Sequence, residues 1–91
     1  MKIYRFYSHP DLPVRVTIVG YYDKEAKRLH LAAARCSEKD RFVRKIGRKI
    51  AEERLLDNEL IASVFLPSIN IKDFIIIAKF FAMRVRHHNL K

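Results

Sequence analysis

Residues 14–21 and 28–34 both alternate with the period of a strand, and this constrains the fold more than any other feature of the chain. In the first run Val14, Val16 and Ile18 share one side, and Arg15, Thr17 and Val19 share the other. In the second, Leu29, Leu31 and Ala33 oppose Arg28, His30 and Ala32. The link between them, residues 22–27, is polar and short enough for a hairpin. Residues 2–7 are rich in aromatic and β-branched side chains and stop at Ser8, His9 and Pro10, which predicts a short edge strand and a loop. Three antiparallel strands with one buried face are expected in the first half.

Helical spacing takes over after residue 36. Ser37 is placed to cap a helix, with Asp40 three residues on, near the positive end of the dipole. Taking 100° per residue from Glu38, Phe42, Ile46, Ile50 and Val43 fall at about 40°, 80°, 120° and 140°. On the same wheel Arg44, Arg48, Arg41 and Lys45 fall at about 240°, 280°, 300° and 340°. This predicts an apolar face on the sheet and a basic stripe opposite. Residues 60–66 form a short apolar run ended by Pro67, a fourth strand or a buried extended segment. Asn70 then caps a second helix, with Asp73 in its first turn and Arg84, Arg86, His87 and His88 in its last. The core face of that helix is expected to carry Phe74, Ile75, Ile77, Ala78, Phe81, Ala82 and Val85, leaving Ile76, Phe80 and Met83 as a separate stripe. The fold class is therefore α+β: a three- to four-stranded antiparallel sheet with two helices, in the order βββα(β)α.

Charge bears on partners more than on fold. The chain of 91 residues has 19 Lys and Arg against 10 Asp and Glu, a formal net charge of +9. The excess is spread along the whole length without a polar hinge or repeat, so one domain over residues 1–91 is expected. A hydrophobic content of 49% supports a core and excludes a disordered basic tail. The most apolar stretch, residues 74–85, is broken by Lys79 and Arg84 and falls short of the roughly 20 residues a membrane span needs. The N-terminus lacks the apolar run of a signal peptide, so no membrane partner and a cytoplasmic setting are expected.

Arg41, Arg44, Lys45 and Arg48 are the leading candidates for binding a polyanion, because neutralising successive phosphates needs cations repeated along one face. A solvated helix face is the ordinary alternative, but the acids that would pair with these cations are scarce beside them. The outward sheet face offers a second basic surface: Arg5, Arg15, Thr17, Arg28 and His30, with Tyr7 in the first strand. The βββα order is also that of sheet-reading DNA-binding folds such as the AP2 and arm-type integrase domains, whose Gly and Trp positions are missing here. Ile76, Phe80 and Met83 are candidates for a homodimer seam or a protein contact, since apolar stripes with a polar rim mark interfaces.

Signs of catalysis are thin. Cys36 lies beside Arg35 before a helix, a setting that favours thiolate, yet no base lies near it in sequence and a structural role is expected. His9 with Asp11, and His87 with His88, do not have metal-ligand spacing, and no cofactor motif is present. The run Cys36, Ser37, Lys39, Asp40 and Phe42, followed by Lys45, Gly47 and Arg48, resembles a pattern in small uncharacterised bacteriophage and prophage proteins. That resemblance implies a phage context and a host-cell cytoplasm, without a mechanism. The expected function is a non-enzymatic binding protein for DNA, RNA or a nucleoprotein; the alternative is a phage-type interaction module or inhibitor acting through the apolar stripe.

Overall fold

The computed structural model describes residues 2–8, 15–36 and 44–85. His9, Asp11, Ser37, Asp40, Arg41, Phe42, Val43, Arg86, His87 and His88 lie outside the described residues. The element order is β1 (Ile3–Tyr7), β2 (Arg15–Asp23), β3 (Arg28–Cys36), α1 (Arg44–Leu56), β4 (Ala62–Phe65) and α2 (Ile71–Val85), an α+β fold. The four strands form one antiparallel sheet in chain order. The run at residues 60–66 is thus a fourth strand, paired through Ala62 with Leu31 and through Phe65 with Arg28.

Each junction has a local cause. The turn between β2 and β3 is tighter than the expected link, because Asp23 Oδ1 accepts hydrogen bonds from the amides of Glu25 and Ala26 at 3.0 and 3.2 Å. Lys27 closes the turn at φ 53°. At the other end of the sheet Ser8 extends the β1–β2 ladder: its amide donates to the Val16 carbonyl at 2.9 Å, and its hydroxyl accepts from the Val16 amide at 2.8 Å. β4 stops short along β3, and Arg54 of α1 donates to the Ala33 carbonyl at 2.7 Å just beyond the last β4 pairing. α1 ends in paired bonds from Asn58 to the Leu55 carbonyl and from Glu59 to the Arg54 carbonyl, with Asn58 at φ 59°. That is the left-handed helix stop, in which Asn stands in for the commoner Gly. α2 begins where Asn70 Oδ1 accepts from the Asp73 amide at 2.9 Å, as the sequence predicts.

The sheet is buried on both faces, which corrects the expectation of one. Val16, Ile18, Leu29, Leu31 and Ala33 pack against Phe74, Ala78, Ala82 and Val85 of α2. On the reverse face Val19, Ala32 and Ala34 pack against Ala51 and Leu55 of α1. Thr17, expected on an outward surface, is fully buried. Strands covered twice read as apolar runs, and residues 16–20 and 31–34 are buried without interruption.

Gly20 sits in the middle of β2, opposite Tyr4 on one side and Leu31 on the other. A Cβ built there would lie 2.7 Å from Cε1 of Phe74, inside any real contact distance. The missing side chain is what lets the fully buried Phe74 ring reach the strand, where it stacks on Tyr4 with centroids 5.3 Å apart. Gly20→Ala is therefore expected to cost about 1 to 3 kcal/mol through overpacking. Thermal unfolding checks this, at roughly 4 to 8 °C of Tm per kcal/mol for a domain of this size. Adding Phe74→Leu should recover part of the loss, since the two positions are in direct contact.

Candidate nucleic-acid interface

The cations of α1 are placed by the way this helix meets the sheet. Taking about 100° per residue from Arg44, the buried Ala51 and Leu55 fall at about 340° and 20°. Arg44 and Arg48 fall at about 0° and 40°, and Lys45 and Lys49 at about 100° and 140°. Ile46 and Ile50, at about 200° and 240° on this wheel, point away from the sheet. They are 57% and 39% exposed, which corrects the expected packing face. The reason is steric: the small Ala51 side chain lets the helix settle on Ala32 and Ala34.

With that phase the cations are not opposite the packed face: Arg44 and Arg48 lie on its sheet side toward β1, and Lys45 and Lys49 turn outward from it. The Arg44 guanidinium lies over the Tyr7 ring at 4.8 Å. One turn on from Arg48, Glu52 receives Arg5: both Nε and Nη2 approach Oε1, at 2.9 and 2.8 Å. This pair is partly exposed and contributes little to stability. Its effect on the surface is to hold Arg5 beside the helix. Arg44 and Arg48, and likewise Lys45 and Lys49, are each separated by about 6 Å along the axis.

The expected site residues separate into two groups. Arg44, Lys45 and Arg48 are together, and Arg15 is half-buried at the same end of the sheet, where it faces Cys36 in the β2–β3 register. Arg28 is at the far end, opposite Asp23 and Phe65, eight strand residues or about 27 Å from the level of Arg15. Its guanidinium donates to the Ser63 carbonyl at 3.1 Å. The expected basic sheet reader is thus divided by α1, which covers its centre. Lys49 joins the cationic flank and was legible from its spacing of four from Lys45. Ile76, Phe80 and Met83 are 67%, 55% and 61% exposed on the outer face of α2, and Arg84 lies over the Phe80 ring at 5.3 Å.

Family models, curated proteins and solved structures were all compared with the chain, and none matches it. Ser63 Oγ and His30 Nδ1 are 3.1 Å apart across β3 and β4, but among the described residues nothing holds the second ring nitrogen as a triad requires. No described helix is long and apolar enough to cross a membrane.

The helix phase has a measurable consequence. Ile46→Lys is expected to change stability by no more than about 0.5 kcal/mol. Ala51→Leu, on the packed side, should cost about 1 to 3 kcal/mol. Urea unfolding of the two variants checks this; a reversed order would restore the packing face predicted from the apolar periodicity.

Proposed function

We propose that this chain is a small non-enzymatic binding protein that holds DNA, RNA or a nucleoprotein through the β1-facing flank of α1. The observation that carries this reading is Arg44 over Tyr7 and Arg5 held on Glu52, with Lys45, Arg48 and Lys49 repeating along the same helix at spacings of three and four. Cations so placed neutralise phosphates and release counterions. A net charge of +9 adds a long-range attraction for any polyanion. Tyr7 pre-positions the Arg44 guanidinium, so less side-chain freedom is lost on binding. On the phage resemblance of residues 36–48 alone, we assign this binding to a host-cell cytoplasm.

The second reading is a protein contact through Ile76, Phe80 and Met83, and the exposure of all three favours it. A second copy of the chain is the simplest partner, because a two-fold pairing covers the stripe with itself. Lys79 and Arg84 border the stripe, so such a pairing would be weakest at low ionic strength.

For the first reading, the Arg44→Glu, Arg48→Glu double variant should keep its fold and weaken nucleic-acid binding. The slope of log K against log salt should flatten by roughly two units. Absence of binding by the parent at about 50 mM salt, where phosphate contacts are strong, would sink the reading. For the second, sedimentation at micromolar concentration should show a dimer that Phe80→Glu converts to a folded monomer. A parent that sediments as a monomer removes the homodimer.

A further inference from the structure

The α1-facing side of the sheet is not covered to its end. α1 stops at Leu56, and beyond it Tyr21 of β2, His30 of β3 and Ser63 of β4 form one cross-strand row. Asp23, Arg28 and Phe65 form the next. By strand alternation both rows point to the α1 side. The Tyr21 and His30 rings are nearly parallel, 25° apart with centroids at 6.4 Å. Between them and the end of α1 is a concavity of about 250 Å³, walled by Leu56 and Leu60 and bordered by Asn58. Phe65 is 59% exposed and Leu56 is 69% exposed.

Cross-strand ring pairs ordinarily serve the sheet. That accounts for Tyr21 and His30, but not for the large apolar side chains left in water around them. The size and lining set what fits. The space is just below the roughly 300 Å³ at which drug-sized ligand pockets begin, which is room for one ring system. The rings offer that ligand faces to stack on, the leucines an apolar wall, and the Asn58 amide both a donor and an acceptor for a polar edge. The carboxylate of Asp23 accepts from the turn amides, and Arg28, opposite Phe65 in the register, holds its planar guanidinium on the Ser63 carbonyl.

We propose that this open end of the sheet binds an unpaired nucleobase, so that the chain prefers single-stranded nucleic acid. One base continues the Tyr21–His30 stack with its edge at Asn58, and a neighbouring base lies on Phe65 and Arg28. The proposal rests on the nucleic-acid reading and deepens it: a base in a duplex is already stacked and paired, and only a single strand offers a free face. The cationic flank of α1 supplies the phosphate contacts, and about eight helix residues, or about 12 Å, separate Arg48 from Leu56.

The test is fluorescence anisotropy with labelled 12-nucleotide oligo-dT and oligo-U, and with a 12-base-pair duplex, at about 100 mM salt. The parent should bind both single strands more tightly than the duplex. The His30→Ala, Phe65→Ala double variant should lose about thirtyfold or more on single strands, the scale of two base-stacking contacts, with duplex binding unchanged. Asn58→Gly keeps the left-handed backbone and removes the amide. It should narrow the differences in affinity among oligo-dT, oligo-dC and oligo-dA without changing thermal stability by more than a few degrees, and so keeps the proposal open to test if the double variant does not fold. Equal loss on single strand and duplex, or a parent that prefers the duplex, overturns the stacking site while the cationic flank stands. Loss of all binding in the Arg44→Glu, Arg48→Glu variant, with none in the His30→Ala, Phe65→Ala variant, does the same. A parent that binds no nucleic acid overturns both.

Discussion

The ring of Phe74 reaches the backbone of β2 because Gly20 carries no Cβ, and the placement of α2 follows from that contact. With Tyr4 stacked on one side of the ring and Leu29 and Leu31 near Gly20 on the other strand, Phe74 occupies the centre of the larger core cluster. A glycine in a central strand ordinarily weakens it. Here the entropy lost is offset by complete burial of a large aromatic side chain, which contributes about 1.5 to 3 kcal/mol. Once Phe74 is seated, helical geometry carries Ala78, Ala82 and Val85 onto the same sheet face. Ile76, Phe80 and Met83 are turned outward by the same geometry.

On the other face the contact is small against small, and it decides the electrostatics. Ala51 rests on a surface made of Ala32, Ala34 and Val19. The close approach fixes the rotation of α1, and Arg44 and Arg48 then face β1. Their position is a consequence of packing. A helix turned by half a revolution would bury Ile46 and Ile50, with more apolar area gained, but it would hold the helix farther from the alanines. Interiors at crystal-like density favour the fit that leaves no gap.

This is also where the sequence was and was not legible. The order of the elements, both helices and the Asn70 cap are readable, because alternation, helical periodicity and a capping side chain are local signals, whereas the fourth strand is left open by its short apolar run. The second buried face was not inferred, although Val19, Ala32 and Ala34 interrupt the polar side of an otherwise alternating pattern and were the sign of it. Hydrophobic periodicity gives the wrong phase for α1, because Phe42 and Val43 weight the apolar direction toward Ile46 and Ile50. Residue volume, not hydrophobicity, selected the face, and a hydrophobic wheel does not weigh volume. The row of Tyr21, His30 and Ser63 required the strand register, which no single-strand pattern contains.

The difference between the two ends of the α1-side face comes from the lengths of the elements. The 13 residues of α1 span about 20 Å, whereas the nine residues of β2 or β3 span about 30 Å. A helix ended by the left-handed Asn58 therefore stops short of the strands beneath it. The covered length carries the cationic flank, and the uncovered length carries rings and an amide. Charge acts over the Debye length of about 8 to 10 Å and does not discriminate among sequences. Stacking acts only in contact and requires a free base. Joined on one face, they would let a polyanion be attracted by the flank and retained by the open end only if it is unpaired, with salt weakening the first step more than the second.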